Sequence, residues 1–438
     1  MDLTPLNIRS QETLPAEIVD LIIDNLCQQA HQKEARQALL SCSLVSKAFC
    51  VQAYSTLFEE IRISIAPTTA HSLWPHVLRK TREVFVTGLS FPALAMIYRI
   101  KKFYLEINIM ASGNEFLSIA NDPNFSGLLD ALHGPRHGIS GFELSISINS
   151  EPLPWWKLFP RFISAFHSLC DSVQLHTLKL AHFTMVPRDL LTGTNIKHLY
   201  LHDVIFGRNK FDVDIDTLEH PNICQLQTIS FLDPWNFNTL FDLLALGYRC
   251  SPERYHRTAF ANLESLTIGD RSPDQLLRIL PSLRSLKHFG VTHSLEKIRR
   301  ADHAVVDISQ TLLGFIPGPS LLTLSIKIEV PQAIFAENGP DTILTHNPGW
   351  SALDSLLLEP QFDNVPEISL IVHFFTPLKE KRPTDVDAFC TQREAILRRK
   401  LPGLIAVRSA RFTLTVLLNR PEDSLKCIQR RGTMTGWW

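Results

Sequence analysis

The chain is 438 residues long, which exceeds one ordinary hydrophobic core, so its length predicts several domains or an elongated repeat. Apolar residues make up 45% of it, which excludes a largely disordered chain. With 43 Lys and Arg against 44 Asp and Glu, the net charge of -1 gives no overall field that would attract nucleic acid or an acidic membrane.

The N-terminal residues and the cysteines indicate the compartment. Residues 1–12, which we expect to be disordered, have neither the basic start nor the apolar stretch of a secretion or transit signal. No apolar run reaches the roughly 18 residues that a membrane-spanning helix needs. The eight cysteines are scattered without paired spacing, which suits a reducing compartment. We therefore expect a cytoplasmic or nuclear protein with no membrane partner.

Residues 13–61 contain three short amphipathic helical patterns. The first begins at Leu14-Pro15, since proline suits the first turn of a helix. A polar spacer from Cys27 to Ala38 separates it from the second. Within each pattern apolar residues recur at spacings of three and four, which predicts one apolar stripe per helix. The stripes are Ile18, Leu21, Ile22 and Leu26; Ala38, Leu39, Cys42 and Val45; and Phe49, Tyr54, Leu57 and Phe58.

Two motifs in this segment occur in an order that resembles an F-box, the module that connects a receptor to a cullin–RING ubiquitin ligase. The first is Leu14-Pro15 followed by Glu17-Ile18, and the second is Leu44-Val45-Ser46-Lys47 followed by Phe49. Phe49 stands where family members usually have Trp, and the spacer is longer than usual. The resemblance covers residues 13–61, about a tenth of the chain.

The resemblance implies that this chain is a fungal-type F-box protein. Its head would be a three-helix F-box that binds the adaptor subunit of an SCF-type ligase and, through it, a cullin. The alternative is an N-terminal helical cap whose apolar stripes pack only on the next domain. The residues that the resemblance places against the adaptor are Leu14, Pro15, Ile18, Ile22, Leu44, Val45 and Phe49.

One apolar pattern recurs in the C-terminal part of the chain. It follows residues 62–98, and we take those residues as a linking or capping region. Between residues 99 and 418, eight copies of the offsets L-x-x-L-x-L start 21 to 39 residues apart. The alternation predicts a strand whose alternate residues point inward. Helix-compatible stretches between copies predict parallel strands with crossovers on one side. The copies start at Ile100, Ile139, Leu175, Ile196, Leu226, Leu263, Leu286 and Leu321.

This pattern resembles a leucine-rich repeat, and the predicted fold class is α/β: the F-box followed by an irregular leucine-rich-repeat-like solenoid with a parallel sheet. The usual Asn or Cys at the ninth repeat position is missing, so no buried asparagine ladder is expected. Near the end we predict a helix from Trp350, a strand over 365–374, a helix from Asp385 to Leu401 and a last strand over 408–418. Residues 419–438 are predicted to be a loose tail.

Motifs for catalysis are missing from the sequence. It has no phosphate loop, nucleophile elbow, HExxH motif or paired-carboxylate signature. His133 and His137 have the spacing of a helical metal pair, but Gly134, Pro135 and Gly138 favour a loop. We expect no enzyme activity, no metal and no cofactor.

The outward positions of the predicted strands offer a recognition surface, since they would line the concave face of a curved repeat structure. One row reads Thr177, His198, Thr228, Ser265, His288 and Thr323, and the next reads Lys179, Tyr200, Ser230, Thr267, Gly290 and Ser325. The candidate substrate-binding residues on neighbouring strands are Lys179, His198, Tyr200 and His202. The alternative is a polar, solvated sheet face. Trp155-Trp156 would be either exposed binding anchors or packing residues of a helix.

The function hypothesis is a non-catalytic substrate-recognition subunit of an SCF-type E3 ubiquitin ligase with an unknown protein substrate and no nucleic-acid partner. The alternative is a repeat-type scaffold or interaction protein that is not linked to a ligase. An enzyme with an unrecognised site ranks third.

Overall fold

The structure, a computed structural model, describes most of the chain from residue 101 onward and parts of the segment before it. The described residues are 18–19, 21–23, 33–42, 44, 53, 60–65, 101–109, 123–133, 138–148, 151–191, 193–207, 225–231, 260–269, 283–294, 304–313, 315, 317–330, 344–345, 349–375 and 385–419. In these ranges no helix combines the length and the apolar character that crossing a membrane requires.

Twelve described strands form a single sheet in which strand order follows chain order. Neighbouring strands are parallel, apart from the short antiparallel pair β3 and β4. The prediction of an α/β fold with a parallel sheet is therefore confirmed. The strands are β1 (Glu60–Ile65), β2 (Lys102–Ile109), β3 (Gly141–Ile148), β4 (Glu151–Pro154), β5 (Thr177–Val186), β6 (His198–Phe206), β7 (Thr228–Phe231), β8 (Ser265–Ile268), β9 (His288–Ser294), β10 (Thr323–Val330), β11 (Glu367–Phe375) and β12 (Phe412–Asn419).

The helices that follow β2 in the chain cover the inward face of this sheet. A ring of α3 meets a ring of β3, since the centroids of Phe166 and Phe142 lie 5.8 Å apart. A ring of α6 likewise meets one of β11, with 5.9 Å between Phe389 and Phe374. The described helices are α1 (Lys33–Cys42), α2 (Pro123–Leu132), α3 (Pro160–Cys170), α4 (Ala304–Leu313), α5 (Gly349–Leu357), α6 (Val386–Lys400) and α7 (Pro402–Arg408).

The apolar offsets read from the sequence correspond to the buried rows of the sheet. Each of the eight copies contains a strand, and its alternate residues are buried and stand in register with those of the next strand. The prediction of inward alternation is confirmed, and the outward row from Thr177 to Thr323 is also in register as predicted. One inward row reads Phe103, Phe142, Leu178, Leu199, Ile229, Leu266, Phe289, Leu324, Ile368 and Phe412.

A backbone motif at the strand entries connects successive repeats. The carbonyl oxygen of Ser140 accepts hydrogen bonds from the N–H groups of His176 and Thr177, both at 2.9 Å. The carbonyl of His176 accepts in the same way from Lys197 at 2.8 Å and His198 at 2.9 Å. These bonds satisfy backbone groups where the sequence offers no asparagine ladder. The carbonyls that accept two such bonds belong to Lys101, Ser140, His176, Lys197, Gln227, Glu264 and Lys287.

Several elements differ from the sequence prediction. Helix α1 begins at Lys33, inside the stretch taken as a spacer, and α2 and β4 were not predicted. The last strand begins at Phe412 rather than at residue 408, because Pro402 ends one helix and starts another. A proline at the first helical position costs no hydrogen bond, so the chain forms α7 before it enters β12.

Some predictions fall outside the described residues. They concern residues 1–12, the part of the linking region from 66 to 98, the helix-compatible stretches between copies that cover 238–248 and 274–280, and the tail over 420–438.

Candidate functional site

The N-terminal segment has a small core of its own. Val19, Ile23, Leu39 and Ala53 are buried against one another, with Cys42 packed beside them. They form a cluster separate from the core under the sheet. We call residues 18–53 the head.

The head presents apolar side chains to solvent next to that core. Leu44 is 85% exposed and Leu21 is 63% exposed, while Ile18 and Ile22 are exposed to 41% and 37%. The described part of the stripe read from the sequence, Ile18, Leu21 and Ile22, is thus the outer face of its helix, and the neighbouring Val19 and Ile23 belong to the core. The other predicted adaptor-binding residues, Leu14, Pro15, Val45 and Phe49, lie outside the described residues.

On the outward face of the sheet, Lys179 lies in register with Tyr200, as the sequence predicts. The Lys179 side chain is buried by its neighbours, at 6% exposure. Its Nζ lies 3.4 Å from a carboxylate oxygen of Glu143. The same nitrogen lies 5.8 Å from the ring centroid of Tyr104 and 5.3 Å from that of Tyr200. A carboxylate and two aromatic faces therefore stabilise this cation from within the protein.

The remaining predicted substrate-binding residues follow one another along β6. Nδ1 of His198 lies 3.1 Å from the hydroxyl of Thr228 on the next strand. Burial lowers the pKa of His198, and electrostatic repulsion from Lys197 and His176 lowers it further. Burial also raises the pKa of the Tyr200 phenol. The ring of His202 lies further along the same strand.

Two residues with a left-handed backbone, one on β5 and one on β6, bring two more polar side chains to this face. His182 and Asp203 have positive φ values of 63° and 53°. Nδ1 of His182 lies 3.1 Å from a carboxylate oxygen of Asp203, and because a carboxylate can only accept, this nitrogen is the donor. The ring of His182 also lies 5.1 Å from the ring of His202.

Sequence reasoning missed His182 and Asp203 because strict alternation assigns both to the inward face. The only signal for them is residue type, since His and Asp adopt left-handed backbone conformations more readily than most residues. The left-handed backbone at each residue interrupts the alternation, so the next residues, Phe183 and Val204, are buried instead of facing outward.

The described residues contain no group of three or more His, Cys, Asp or Glu side chains that could hold a metal ion. Nε2 of His133 lies 3.9 Å from Asp130, and His137 is outside the described residues. Trp155 and Trp156 differ in the two roles considered for them, which were a packing residue and an exposed binding anchor. Trp155 is buried and Trp156 is 69% exposed.

Comparison with protein-family models and with curated proteins found no match to this chain.

Proposed function

We propose that this chain is a non-catalytic substrate-recognition subunit of an SCF-type ubiquitin ligase, in which the head is an F-box that binds the adaptor subunit. The parallel sheet with its helices is then an irregular leucine-rich-repeat-like solenoid that binds a protein substrate. The observation that carries the proposal is the exposed apolar face of the head beside a core of its own.

The exposed apolar face of the head favours binding to a partner protein over packing within the chain. Ile18, Leu21, Ile22 and Leu44 remain exposed although the segment already has buried residues of its own. Covering a large aliphatic side chain completely contributes about 1.5–3 kcal/mol, so a partner that covers this face gains several kcal/mol before the costs of association. The F-box resemblance supplies the identity of that partner.

The ligase itself would perform the chemistry. A receptor of this kind holds substrate lysines close to a ubiquitin-charged enzyme, which raises their effective concentration without a catalytic residue in the receptor. The register of the outward rows supports a substrate surface, because it brings side chains of neighbouring strands within about 5 Å of one another.

Co-purification of the full chain with the ligase adaptor tests the proposal. We expect the wild-type chain to bind and Leu44→Asp to lose binding at least tenfold. Since Leu44 is 85% exposed, this change leaves the core of the head intact. Val407→Asp is the matched control, because Val407 is 73% exposed on α7 and should leave adaptor binding unchanged.

Absence of adaptor binding by the folded wild-type chain at micromolar concentration would contradict the proposal. The result would favour the scaffold alternative.

A further inference from the structure

A second group of exposed apolar side chains follows β4 in the chain and lies near the end of its paired strand β5. Trp156, Phe159 and Met185 are exposed to 69%, 38% and 44%. Lys157 and Arg161 are exposed in the same stretch. We call these five residues the aromatic edge. Large exposed aromatic and thioether side chains are typical of the energetic centres of protein interfaces.

The backbone holds Met185 in this exposed position at a cost. Its φ is 58°, and the pairing of β5 with β6 shifts register between Phe183 and Val186. A left-handed conformation is unfavourable for a residue with a long side chain, and such strain concentrates at functional sites. Directly after β6, a Cβ at Gly207 would lie 3.1 Å from the Met185 Cα, so a glycine makes room for the bulge.

Trp156 is exposed because its neighbour is anchored. The Trp155 ring meets Phe166 and Phe183 edge-to-face, with centroids 5.4 and 5.5 Å apart. These contacts fix the short 3-10 turn Trp155–Lys157 between the sheet and α3. The Trp156 ring is therefore presented from a rigid support, which lowers the entropy cost of binding.

The charged side chains of the aromatic edge are basic. Nζ of Lys157 lies 5.7 Å from the centroid of the Trp156 ring. Among the described residues neither Lys157 nor Arg161 forms an ion pair, and the first turn of α3 contains no acidic residue. A partner with carboxylates beside an apolar side chain complements this surface.

From these features, we propose that the aromatic edge binds a protein segment with a large apolar side chain flanked by Asp or Glu. The inference rests on the proposed function in assigning that segment to the substrate. An acidic membrane is the less favoured ligand, because two cations are fewer than the four to eight that polybasic membrane sites use.

Selection from a library of random displayed peptides on the full-length protein tests this inference. We expect the recovered peptides to carry Phe, Leu or Trp next to Asp or Glu. Trp156→Ala should weaken their binding at least tenfold. The double change Lys157→Glu and Arg161→Glu should also weaken peptide binding at least tenfold, and the affinity should then no longer decrease as the salt concentration rises. Val173→Ala is the matched control, since Val173 is 73% exposed outside the aromatic edge and should leave affinity unchanged.

Three outcomes would overturn the inference. They are a selection without Trp156-dependent peptides, a selection of basic or uncharged peptides, and Trp156-dependent binding to phosphatidylserine vesicles in place of peptides. Adaptor co-purification is measured on the same preparations. A chain that binds the adaptor but no such peptide refutes this inference alone, and the reverse result refutes the proposed ligase role alone.

Discussion

At the scale of single residues, Lys179 contributes to the stability of the fold through an ion pair within the protein. Its ammonium group lies 3.4 Å from the Glu143 carboxylate, and both side chains are largely buried, with 8% and 19% exposure. Removing one member of a buried ion pair leaves the other without its counter-charge. We therefore expect Lys179→Met to lower the free energy of unfolding by about 2 kcal/mol, measured by urea denaturation.

The double variant Lys179→Met with Glu143→Gln provides the control for this prediction. It removes both charges, so it should recover part of the lost stability. A single variant as stable as the wild type would show that the pair contributes nothing to folding.

His198 should make stability depend on pH. Burial lowers its pKa in the folded protein below the ordinary value of 6.5. Below about pH 6.5 the unfolded chain takes up a proton that the folded chain does not, so the stability present above that pH is lost as the pH falls toward the lowered pKa. We expect the urea midpoint of the wild type to decrease between about pH 7.5 and 5.5.

His198→Gln should reduce this decrease. It should not remove it completely, because burial also lowers the pKa of His133, which contributes with the same sign. An unchanged loss of stability on acidification in the variant would contradict the assignment to His198.

At the scale of elements, a buried carboxylate determines where α7 begins. Asp354 on α5 accepts hydrogen bonds from the N–H groups of Gly403 and Leu404, each at 2.9 Å. Without it, two donors at a helix start lose their partner. We expect Asp354→Ala to destabilise the protein by about 2–3 kcal/mol in chemical denaturation.

The matched change is Asp387→Ala in the first turn of α6. Asp387 is exposed, and its replacement should cost less than about 0.5 kcal/mol. Equal effects of the two variants would rule out a specific capping role for Asp354.

The helices and strands also differ in whether they could be predicted from a single sequence. The strands of the repeats were predictable because one side of each strand must be buried, and burial imposes alternation. Strand β4 was not predictable, because the sequence of Glu151–Pro154 contains two prolines and has no alternation of apolar and polar residues. Helix α7 was missed for a related reason: the Pro402 that ends α6 also starts α7, and its cap, Asp354, is distant in sequence.

At the scale of the whole molecule, the two candidate surfaces differ in how well sequence predicts them. The first helix of the head is apolar on both sides, so periodicity alone does not show that Val19 and Ile23 pack inside while Leu21 faces solvent. On the sheet, the predicted rows gave the correct register, but the left-handed backbone at His182, Met185 and Asp203 is a local feature that alternation does not encode. Sequence therefore indicated where the candidate surfaces lie, and three-dimensional packing determined which side chains they present.

The different sizes of the two cores lead to a prediction about local stability. Among the described residues of the head, four apolar side chains are buried together, whereas one continuous cluster runs under the sheet from β2 to β12. Regions with few buried contacts open at a lower free energy than the global unfolding. In hydrogen–deuterium exchange of the full chain, we expect amides of α1 to exchange faster than those of β5 and β6.

Adding the adaptor should reduce this difference, because a partner that binds only the folded head stabilises it by mass action. At adaptor concentrations about 100-fold above the dissociation constant, exchange of α1 and of residues 21–23 should slow by up to about 100-fold. Exchange in β10 and β11 should not change, and Leu44→Asp should abolish the protection. If α1 is as protected as β5 before the adaptor is added, the head does not depend on a partner for its stability. If protection instead spreads across the sheet, the adaptor binds somewhere other than the head.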